Sequence, residues 1–177
     1  MMPRAAGRAP ASMRGQDMKF AIAVILSIWS AMALADEGLP PVHGDPLLTV
    51  TVPDRTMMLD AEGIRALPAD EFTTTTIWTE GPQTFRGLRV TDLLDRLGVR
   101  EGTLELTAAN GYRILIPVEK FRPDGALIAY ERNGRPMTLR DKGPLWMVYP
   151  YDADPAFRNE VTYVNSIWQL DRIAILP

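Results

Sequence analysis

Few side chains in this sequence could carry out covalent or metal chemistry. The 177 residues include no cysteine and one histidine, His43. Without a thiol the chain can form no disulfide, no Cys-ligated zinc or iron–sulfur cluster and no thiolate nucleophile. A single histidine also argues against His-rich metal sites and against Ser-His-Asp catalysis. Much enzyme chemistry is therefore excluded by residue types alone.

Motifs that cradle phosphate or cleave glycosidic bonds are also absent from the sequence. Neither G-x-x-x-x-G-K-[ST] nor G-x-G-x-x-G occurs. Asp92 and Asp95 fall on the exposed side of a predicted helix, where they serve solvation. His43 lies in a Pro- and Gly-rich stretch and is interpreted as a solvated side chain.

The N-terminus has the three parts of a secretory signal peptide. Four basic residues occur among the first 19, an apolar run follows over 20–34, and Ala33-Leu34-Ala35 provides an A-x-A cleavage site. The apolar run is short for a membrane span, which needs roughly 20 residues. We therefore predict a signal peptide over 1–35, with a retained N-terminal anchor as the alternative. Met18, directly before Lys19, is a possible true start.

Cleavage after Ala35 would leave a domain of ordinary globular composition with an excess of negative charge. The remaining 142 residues carry 15 basic and 21 acidic side chains. Such a protein is a poor candidate for binding nucleic acid or anionic membranes. The sequence predicts a periplasmic protein without stable membrane insertion, composed of a flexible leader over 36–45 and one domain over 46–177.

The domain is predicted to be α+β, mainly strands with a few short helices. Asp60 is expected to cap a helix that ends before Pro68, and Thr91 to cap a second helix that ends at Gly98. Asn110-Gly111 and Asn133-Gly134 each predict a hairpin turn, the first with the stronger alternation on both sides. The segment 153–163 is expected to be a polar loop long enough to form a lid. Strands are predicted at 47–52, 55–59, 72–78, 83–86, 103–108, 112–116, 126–131, 135–139, 145–149 and 168–176.

Five motifs, in order, resemble those of the sulfite-oxidase-type molybdopterin-binding domain family. T-F-R-G-L at 84–88, with the helix that follows, is similar to that family's W-x-G step. A-L-I-A-Y-E-R-N-G-R-P-M at 126–137 is similar to its L-L-A-Y-x-x-N-G-x-P-L hairpin. The other three are N-G-Y at 110–112, G-P-L-W-M-V-Y-P at 143–150 and N-S-I-W-Q-L-D-R-I at 165–173. The resemblance implies a mixed, mainly β, barrel-like fold whose cleft binds a pterin.

Departures from the family pattern bear directly on function. The family's enzymes bind molybdenum through a cysteine before the W-x-G step, where this chain has T-T-T-T-I-W-T-E-G at 73–81 and no sulfur. Trp146 and Trp168 replace two cations that, in the family, help to hold the phosphate-bearing part of the cofactor. Indoles remove phosphate affinity and add flat stacking surfaces. These changes favour a small, unphosphorylated pterin as ligand and make molybdenum unlikely as a cofactor.

The same family contains exported members without cofactor that bind reduced pterins and regulate a membrane-bound signalling enzyme. The signal peptide, the missing cysteine and the S-I-W-Q-L segment resemble those members. We therefore expect a non-catalytic periplasmic pterin-binding regulator. Its expected partner is the periplasmic region of an inner-membrane protein of cyclic-di-GMP metabolism. The alternative is a molybdopterin-dependent oxidoreductase or a subunit of one.

Candidate ligand-binding residues are chosen by their place in these motifs. Trp146 and Trp168 would stack on the ring or belong to the core, and Asn110 would bond a ligand edge or form a turn. Asp152 could accept two hydrogen bonds from the guanidine-like edge of a pterin or be a turn residue. Arg158 would clamp the ligand or be solvated. The full set is Trp168, Trp146, Tyr149, Tyr151, Asp152, Arg158, Asn110, Glu80 and Arg86, the last two bordering the position of the family's metal.

Overall fold

The computed structural model describes residues 39–177. The predicted signal peptide lies outside the described residues, as do residues 36–38 of the predicted leader. The later part of that leader is bound to the domain: Leu39 packs against the core, and the backbone amides of His43 and Gly44 donate to the carboxylate of Asp60 at 2.7 and 2.6 Å. Among the helices of residues 39–177, none is long and apolar enough to cross a membrane.

Ten strands and three α-helices make up the described domain. In chain order they are β1 (Leu48–Val52), β2 (Arg55–Leu59), α1 (Ala61–Ala66), β3 (Asp70–Thr74), β4 (Gln83–Arg89), α2 (Val90–Leu97), β5 (Thr103–Ala108), β6 (Arg113–Pro117), β7 (Leu127–Arg132), β8 (Arg135–Pro136), β9 (Trp146–Val148), α3 (Glu160–Asn165) and β10 (Leu170–Leu176). One-turn 3₁₀ helices occur at Val118–Lys120, Leu139–Asp141 and Pro155–Phe157.

The strands form two five-stranded sheets. The first has the order β2-β1-β10-β5-β6, in which only the β1–β10 pair is parallel, with Val50 opposite Ile173. The second has the order β3-β4-β7-β8, and β9 also pairs with β7. The predicted α+β, mainly β class is confirmed, and in residues 39–177 the sheets stay open, with no closed barrel.

Strands β7 and β9 of the second sheet are buried on both faces, which explains their apolar runs. Along β7, Ile128 and Tyr130 belong to the main core, whereas Leu127 and Ala129 belong to a smaller cluster on the opposite face. Strand β9 alternates in the same way. Strands buried on two faces lose the apolar–polar alternation of half-exposed strands. The smaller cluster includes Trp146 and forms the floor below the candidate site.

Three of the four predicted helix ends are confirmed, including the end of α1 at Ala66, before Pro68. The side chain of Asp60 accepts from the amide of Gly63 at 2.7 Å and caps α1, and Gly98 ends α2 in the left-handed region at φ 69°. The prediction for Thr91 was wrong, because α2 begins at Val90 after an extended Arg89 that makes no side-chain cap bond.

Tertiary contacts change two predicted elements next to the candidate site. The predicted strand over 72–78 ends at Thr74, because Thr75 turns its N–H and hydroxyl to Asp152 instead of a neighbouring strand. The predicted polar loop over 153–163 contains the 3₁₀ turn and most of α3. Asn159 caps that helix by accepting from the amide of Thr162 at 3.0 Å.

Candidate functional site

A cavity of about 450 Å³ lies where three connections of the fold meet. Its walls come from the loop after β3, from the β5–β6 turn, and from α3 with the segment that leads into β10. The lining is mainly aromatic and aliphatic, and it contains no Asp, Glu, Lys or Arg. The lining residues are Trp78, Ala108, Asn110, Tyr112, Tyr163, Val164, Ser166, Ile167 and Trp168.

Trp78 is the central aromatic of this cavity. Its ring meets those of Trp146, Trp168 and Tyr163 edge-on, at centroid distances of 5.8, 5.7 and 6.0 Å. Its amide donates to the hydroxyl of Thr76 at 3.1 Å. Edge-on packing stabilises aromatic pairs beyond the area that they bury. The loop after β3 therefore places one indole in the cavity wall, held by edge-on contacts to three other aromatic rings.

Asp152, in the segment after β9, is hydrogen-bonded to the end of β3 and to the loop that follows it. Its carboxylate accepts from the hydroxyl and the amide of Thr75, both at 2.7 Å, and from the guanidinium of Arg158. Its own amide donates to the hydroxyl of Thr74 at 3.1 Å. The Thr75 hydroxyl, the Thr75 amide and the Arg158 guanidinium all hold the pKa of Asp152 below its ordinary value of 3.8. Three protein donors therefore already hold the carboxylate in place.

Ser166 connects the cavity wall to the buried floor. Its carbonyl accepts from the indole N–H of Trp146 at 3.2 Å, and its hydroxyl lies 2.5 Å from the phenol oxygen of Tyr151. The same hydroxyl donates to the carbonyl of Thr162 at 2.7 Å. Burial raises the pKa of Tyr151 to about 12 and also raises the pKa of Tyr149. Both phenols are therefore protonated at physiological pH.

A smaller cavity of about 180 Å³ adjoins the same wall, with Tyr163 shared between the two. Tyr151 and Arg158 line it together with the loop residues Thr75, Thr76 and Ile77. Arg158 is held in place because its Nε donates to the carbonyl of Tyr151 at 2.9 Å.

The structure brings together some of the sequence-predicted residues and separates others. Trp168 and Asn110 line the larger cavity, Tyr151 and Arg158 line the smaller one, and Asp152 joins their loops.

Trp146 is fully buried and Tyr149 nearly so, which leaves neither with surface to offer a ligand. Both act as floor and core, because β9 lies in the middle of the two apolar layers. Glu80 and Arg86 are exposed and line neither of the two cavities described above. Arg86 stands on β4 opposite Glu71 and Glu131, on a different part of the sheet.

Sequence reasoning missed three aromatic side chains that line the larger cavity. Trp78 is the one aromatic in the polar run T-T-T-T-I-W-T-E-G, and that isolation was the available signal. Tyr112 follows the Asn110-Gly111 turn, where its amide donates to the side chain of Asn110 at 3.0 Å. Tyr163 was missed because the sequence predicted a loop over 153–163, whereas Tyr163 belongs to α3.

The donor set does not fit a thiolate-bound molybdenum. The chain has no cysteine, and residues 39–177 contain no group of three His, Cys, Asp or Glu side chains placed to hold a metal. At the position of the family's ligand, the loop offers threonine hydroxyls, and neutral alcohols do not replace a soft thiolate. A flat organic ring, in contrast, fits both the size and the lining of the larger cavity.

Comparison with known proteins gives consistent results. The chain is similar to a curated protein in sequence and to a solved structure in fold. An uncharacterised oxidoreductase, YuiH, of Bacillus subtilis (strain 168) is 30% identical over 104 residues, which cover 55% of this chain and 52% of that protein. The sulfane dehydrogenase SoxCD from Paracoccus pantotrophus matches in structure with a TM-score of 0.56 at 16% identity, over 76% of this chain and 40% of that chain. The chain thus spans about half the length of the curated relative it matches.

A family model gives the broadest assignment. The model described as "oxidoreductase molybdopterin binding domain" matches residues 55–170, which include every strand from β2 to β9 and all three helices. The match covers well over half of the chain. This protein therefore belongs to the oxidoreductase molybdopterin-binding domain family, of the sulfite-oxidase type.

Proposed function

We propose that this protein is a periplasmic, non-catalytic pterin-binding protein that regulates a membrane-bound signalling enzyme, in cyclic-di-GMP metabolism. The observation that carries the proposal is the aromatic cavity of about 450 Å³ walled by Trp78, Tyr163 and Trp168. Its volume lies in the range of small-molecule sites, which are typically apolar with a few polar groups. A pterin, flat and polarizable, suits such walls.

The absence of charge from the cavity lining supports an unphosphorylated ligand. None of its nine lining residues is a Lys or Arg that could neutralise a phosphate. The polar groups present are the amide of Asn110, the phenols of Tyr112 and Tyr163, and the hydroxyl of Ser166, which is already bonded within the protein. Neutral hydrogen-bonding groups of this kind suit the carbonyl and ring nitrogens of a neutral heterocycle.

The loop at 75–81 contains no cysteine, which supports regulation rather than catalysis. In the family's enzymes this position supplies sulfur to molybdenum, and here it supplies Trp78 to the cavity wall. A domain without a reactive group acts by binding, and its ligand can change the affinity for a partner when both sites are coupled. The predicted signal peptide supports a periplasmic location, and with it a partner that presents a periplasmic region.

A molybdopterin-dependent oxidoreductase, or a subunit of one, is the second candidate. It is favoured by the family match over residues 55–170 and by the names of the two relatives, an oxidoreductase and a sulfane dehydrogenase. Fold alone is weak evidence of activity, because one fold supports many functions.

Metal and ligand analysis of the purified protein distinguishes the two candidates. The protein is isolated from the periplasm of molybdate-supplied cells and assayed for molybdenum, and pterins are detected by fluorescence in a denatured extract. We expect no stoichiometric molybdenum, together with pterin in the extract or binding on titration with reduced pterins. Stoichiometric molybdenum would support the oxidoreductase. The absence of any pterin, both in the extract and on titration, would refute the regulator.

The proposed coupling between pterin binding and partner binding is tested separately. A membrane protein with GGDEF and EAL domains encoded beside this gene would supply a candidate partner, whose soluble periplasmic region is titrated with this protein. We expect the affinity of the two proteins to change at least severalfold when a pterin is added, and the pterin affinity to change reciprocally. Equal affinity with and without pterin would show that binding and regulation are not coupled.

A further inference from the structure

A groove of about 580 Å³ lies along the β7–β8 hairpin and the 3₁₀ turn that follows it. It shares no lining residue with the aromatic cavity. The lining contains two arginines, Arg132 and Arg135, and one carboxylate, that of Asp141. The other lining residues are Asn133, Pro136, Met137 and Thr138. The groove therefore has an excess of positive charge.

One of the two arginines is balanced by the carboxylate. Asp141 accepts from the guanidinium of Arg132 at 3.3 Å and from the hydroxyl of Thr138 at 2.8 Å. Arg135 is exposed, and within residues 39–177 it forms no ion pair. Arg135 is thus the uncompensated cation of the lining.

Two further cations without an ion pair follow in the next turn. Arg140 and Lys142 pair with no carboxylate in the part of the chain that the structure describes. The segment 131–142 carries four basic and two acidic side chains, whereas residues 36–177 as a whole carry 15 basic and 21 acidic ones. A local basic patch on an acidic protein attracts an anionic group to that patch alone.

The charge of the remaining surface favours a narrow anionic partner. An extended anionic surface, such as a membrane or a nucleic acid, would also meet the acidic remainder of the protein and be repelled by it. A short acidic segment of a protein can contact the groove alone. Leu139, next to the lining residue Thr138, is 63% exposed and adds an apolar contact. Apolar and arginine side chains together are typical of protein interfaces.

We infer that this groove is the surface through which the protein binds an acidic segment of its protein partner. The inference rests on the proposed function and names the chemistry of the contact with the partner. Gln169, which follows Trp168 of the cavity wall, joins the two sites. Its side-chain amide donates to the carbonyl of Leu139 and its backbone amide to the carbonyl of Lys142, both at 3.0 Å. These two bonds are a direct link through which ligand and partner binding can be coupled.

Titration with a short, fluorophore-labelled poly-glutamate peptide, followed by anisotropy, tests the groove without any pterin. A poly-glutamine peptide of the same length and label is the ligand control. The proteins are the wild type, Arg135→Glu, Arg135→Lys and Lys120→Glu. Lys120 is exposed after β6, forms no ion pair within residues 39–177 and lines neither the groove nor the aromatic cavity. Lys120→Glu and Arg135→Glu change the net charge equally, which makes them a matched pair.

We expect poly-glutamate, and not poly-glutamine, to bind the wild type at low ionic strength, and added salt to weaken the binding. Arg135→Glu should weaken it about fivefold, which corresponds to the loss of one exposed ion pair. Arg135→Lys and Lys120→Glu should leave the affinity close to that of the wild type.

Four results would overturn the inference. Equal binding of both peptides would remove the role of charge, and equal weakening by Arg135→Glu and Lys120→Glu would show that net charge alone attracts the peptide. Displacement of poly-glutamate by inorganic phosphate at constant ionic strength would assign the groove to a small anion. Binding to phosphatidylglycerol vesicles that Arg135→Glu abolishes would assign it to a membrane.

The pterin titration separates this inference from the proposed function. If poly-glutamate binds as expected and no pterin binds, the groove remains a site for acidic peptides and the pterin-binding function fails. If pterins bind and poly-glutamate does not, only the role of the groove fails.

Discussion

Trp168 is the lining residue through which stacking can be tested most directly, because it is 36% exposed and belongs to neither core cluster. We expect Trp168→Ala to weaken pterin binding about 3- to 10-fold, the loss of one aromatic contact. Tryptophan fluorescence or calorimetric titration measures the change. Leu115→Ala is the control, since Leu115 is 60% exposed on β6 and does not line the cavity. Unchanged affinity in a folded Trp168→Ala protein would remove stacking from the proposal.

For Trp146, in contrast to Trp168, we expect substitution to affect stability. It is fully buried between Trp78 and Phe85, with edge-on contacts to both at 5.8 and 5.3 Å. Replacement of a buried tryptophan by alanine costs about 3–5 kcal/mol of unfolding free energy. We therefore expect Trp146→Ala to lower stability in denaturant unfolding much more than Trp168→Ala does. Equal effects of the two substitutions would contradict the assignment of Trp146 to the floor.

Asp152 supports the site by holding the loop that carries Trp78. Asp152→Asn replaces an acceptor with a donor that faces the Thr75 and Arg158 donors, and we expect it to cost about 1 kcal/mol because the group is partly exposed. The pKa of Asp152 is lowered in the folded protein, so its stabilising contribution is present above pH 3.8 and is lost as pH falls through the folded pKa. The difference in Tm between wild type and Asp152→Asn should therefore shrink as pH is lowered below 4. A difference that stays constant with pH would show that the carboxylate charge does not matter.

Individual site residues could be predicted only where a motif marked them. Trp168 and Asn110 were chosen from family motifs, and both line the cavity. Asp152 was chosen as a ligand acceptor, but its carboxylate accepts two hydrogen bonds from Thr75, 77 residues earlier in the chain, and one from Arg158. A single sequence contains no signal for such a distant pairing. Trp78 was missed because the threonine run before it favours a strand. In the structure the strand ends at Thr74, and Trp78 lies in the loop that lines the cavity.

At the scale of elements, α1 and the segment before it depend on one carboxylate. Asp60 accepts from the amides of Gly63, His43 and Gly44, bonds that lower its pKa to about 2. Since the unfolded value is near 3.8, the stabilisation is complete above that pH and is lost only as pH falls through about 2. We expect Asp60→Ala to lower Tm and to increase hydrogen exchange at His43 and Gly44. Asp54→Asn, in the exposed β1–β2 turn, is the control and should change neither.

The two Asn-Gly turns show how far local patterns predict an element. Asn133 and Gly134 both have positive φ, 53° and 72°, as the two-residue primed turn requires. At the pair with the stronger alternation, only Gly111 is left-handed, at φ 84°, and the loop has three residues, closed by the bond from the Ala108 amide to the Tyr112 carbonyl at 2.9 Å. This wider loop places Asn110 and Tyr112 at the cavity. The sequence therefore predicted the hairpin but not the length of its loop.

At the scale of the whole molecule, apolar patterning predicted most strands and the order of the motifs predicted the fold. The packing of loops onto one another was not predictable in this way. The cavity depends on α3, on the β5–β6 turn and on the loop after β3, which are far apart in the chain and meet only in the folded protein. Each is short, and side-chain hydrogen bonds from partners such as Asp152 and Ser166 hold it in place.

Ligand binding by the folded domain must stabilise the whole of it, because the cavity exists only when these three connections are assembled. A ligand present at a hundredfold excess over its Kd adds about 2.7 kcal/mol to the unfolding free energy. For a domain of this size we expect a rise in Tm of about 10 °C in a thermal scan with reduced pterin. Molybdate alone should leave Tm unchanged, because no thiol is available to bind the metal. A rise with molybdate and none with pterin would reverse the preference between the two candidate functions.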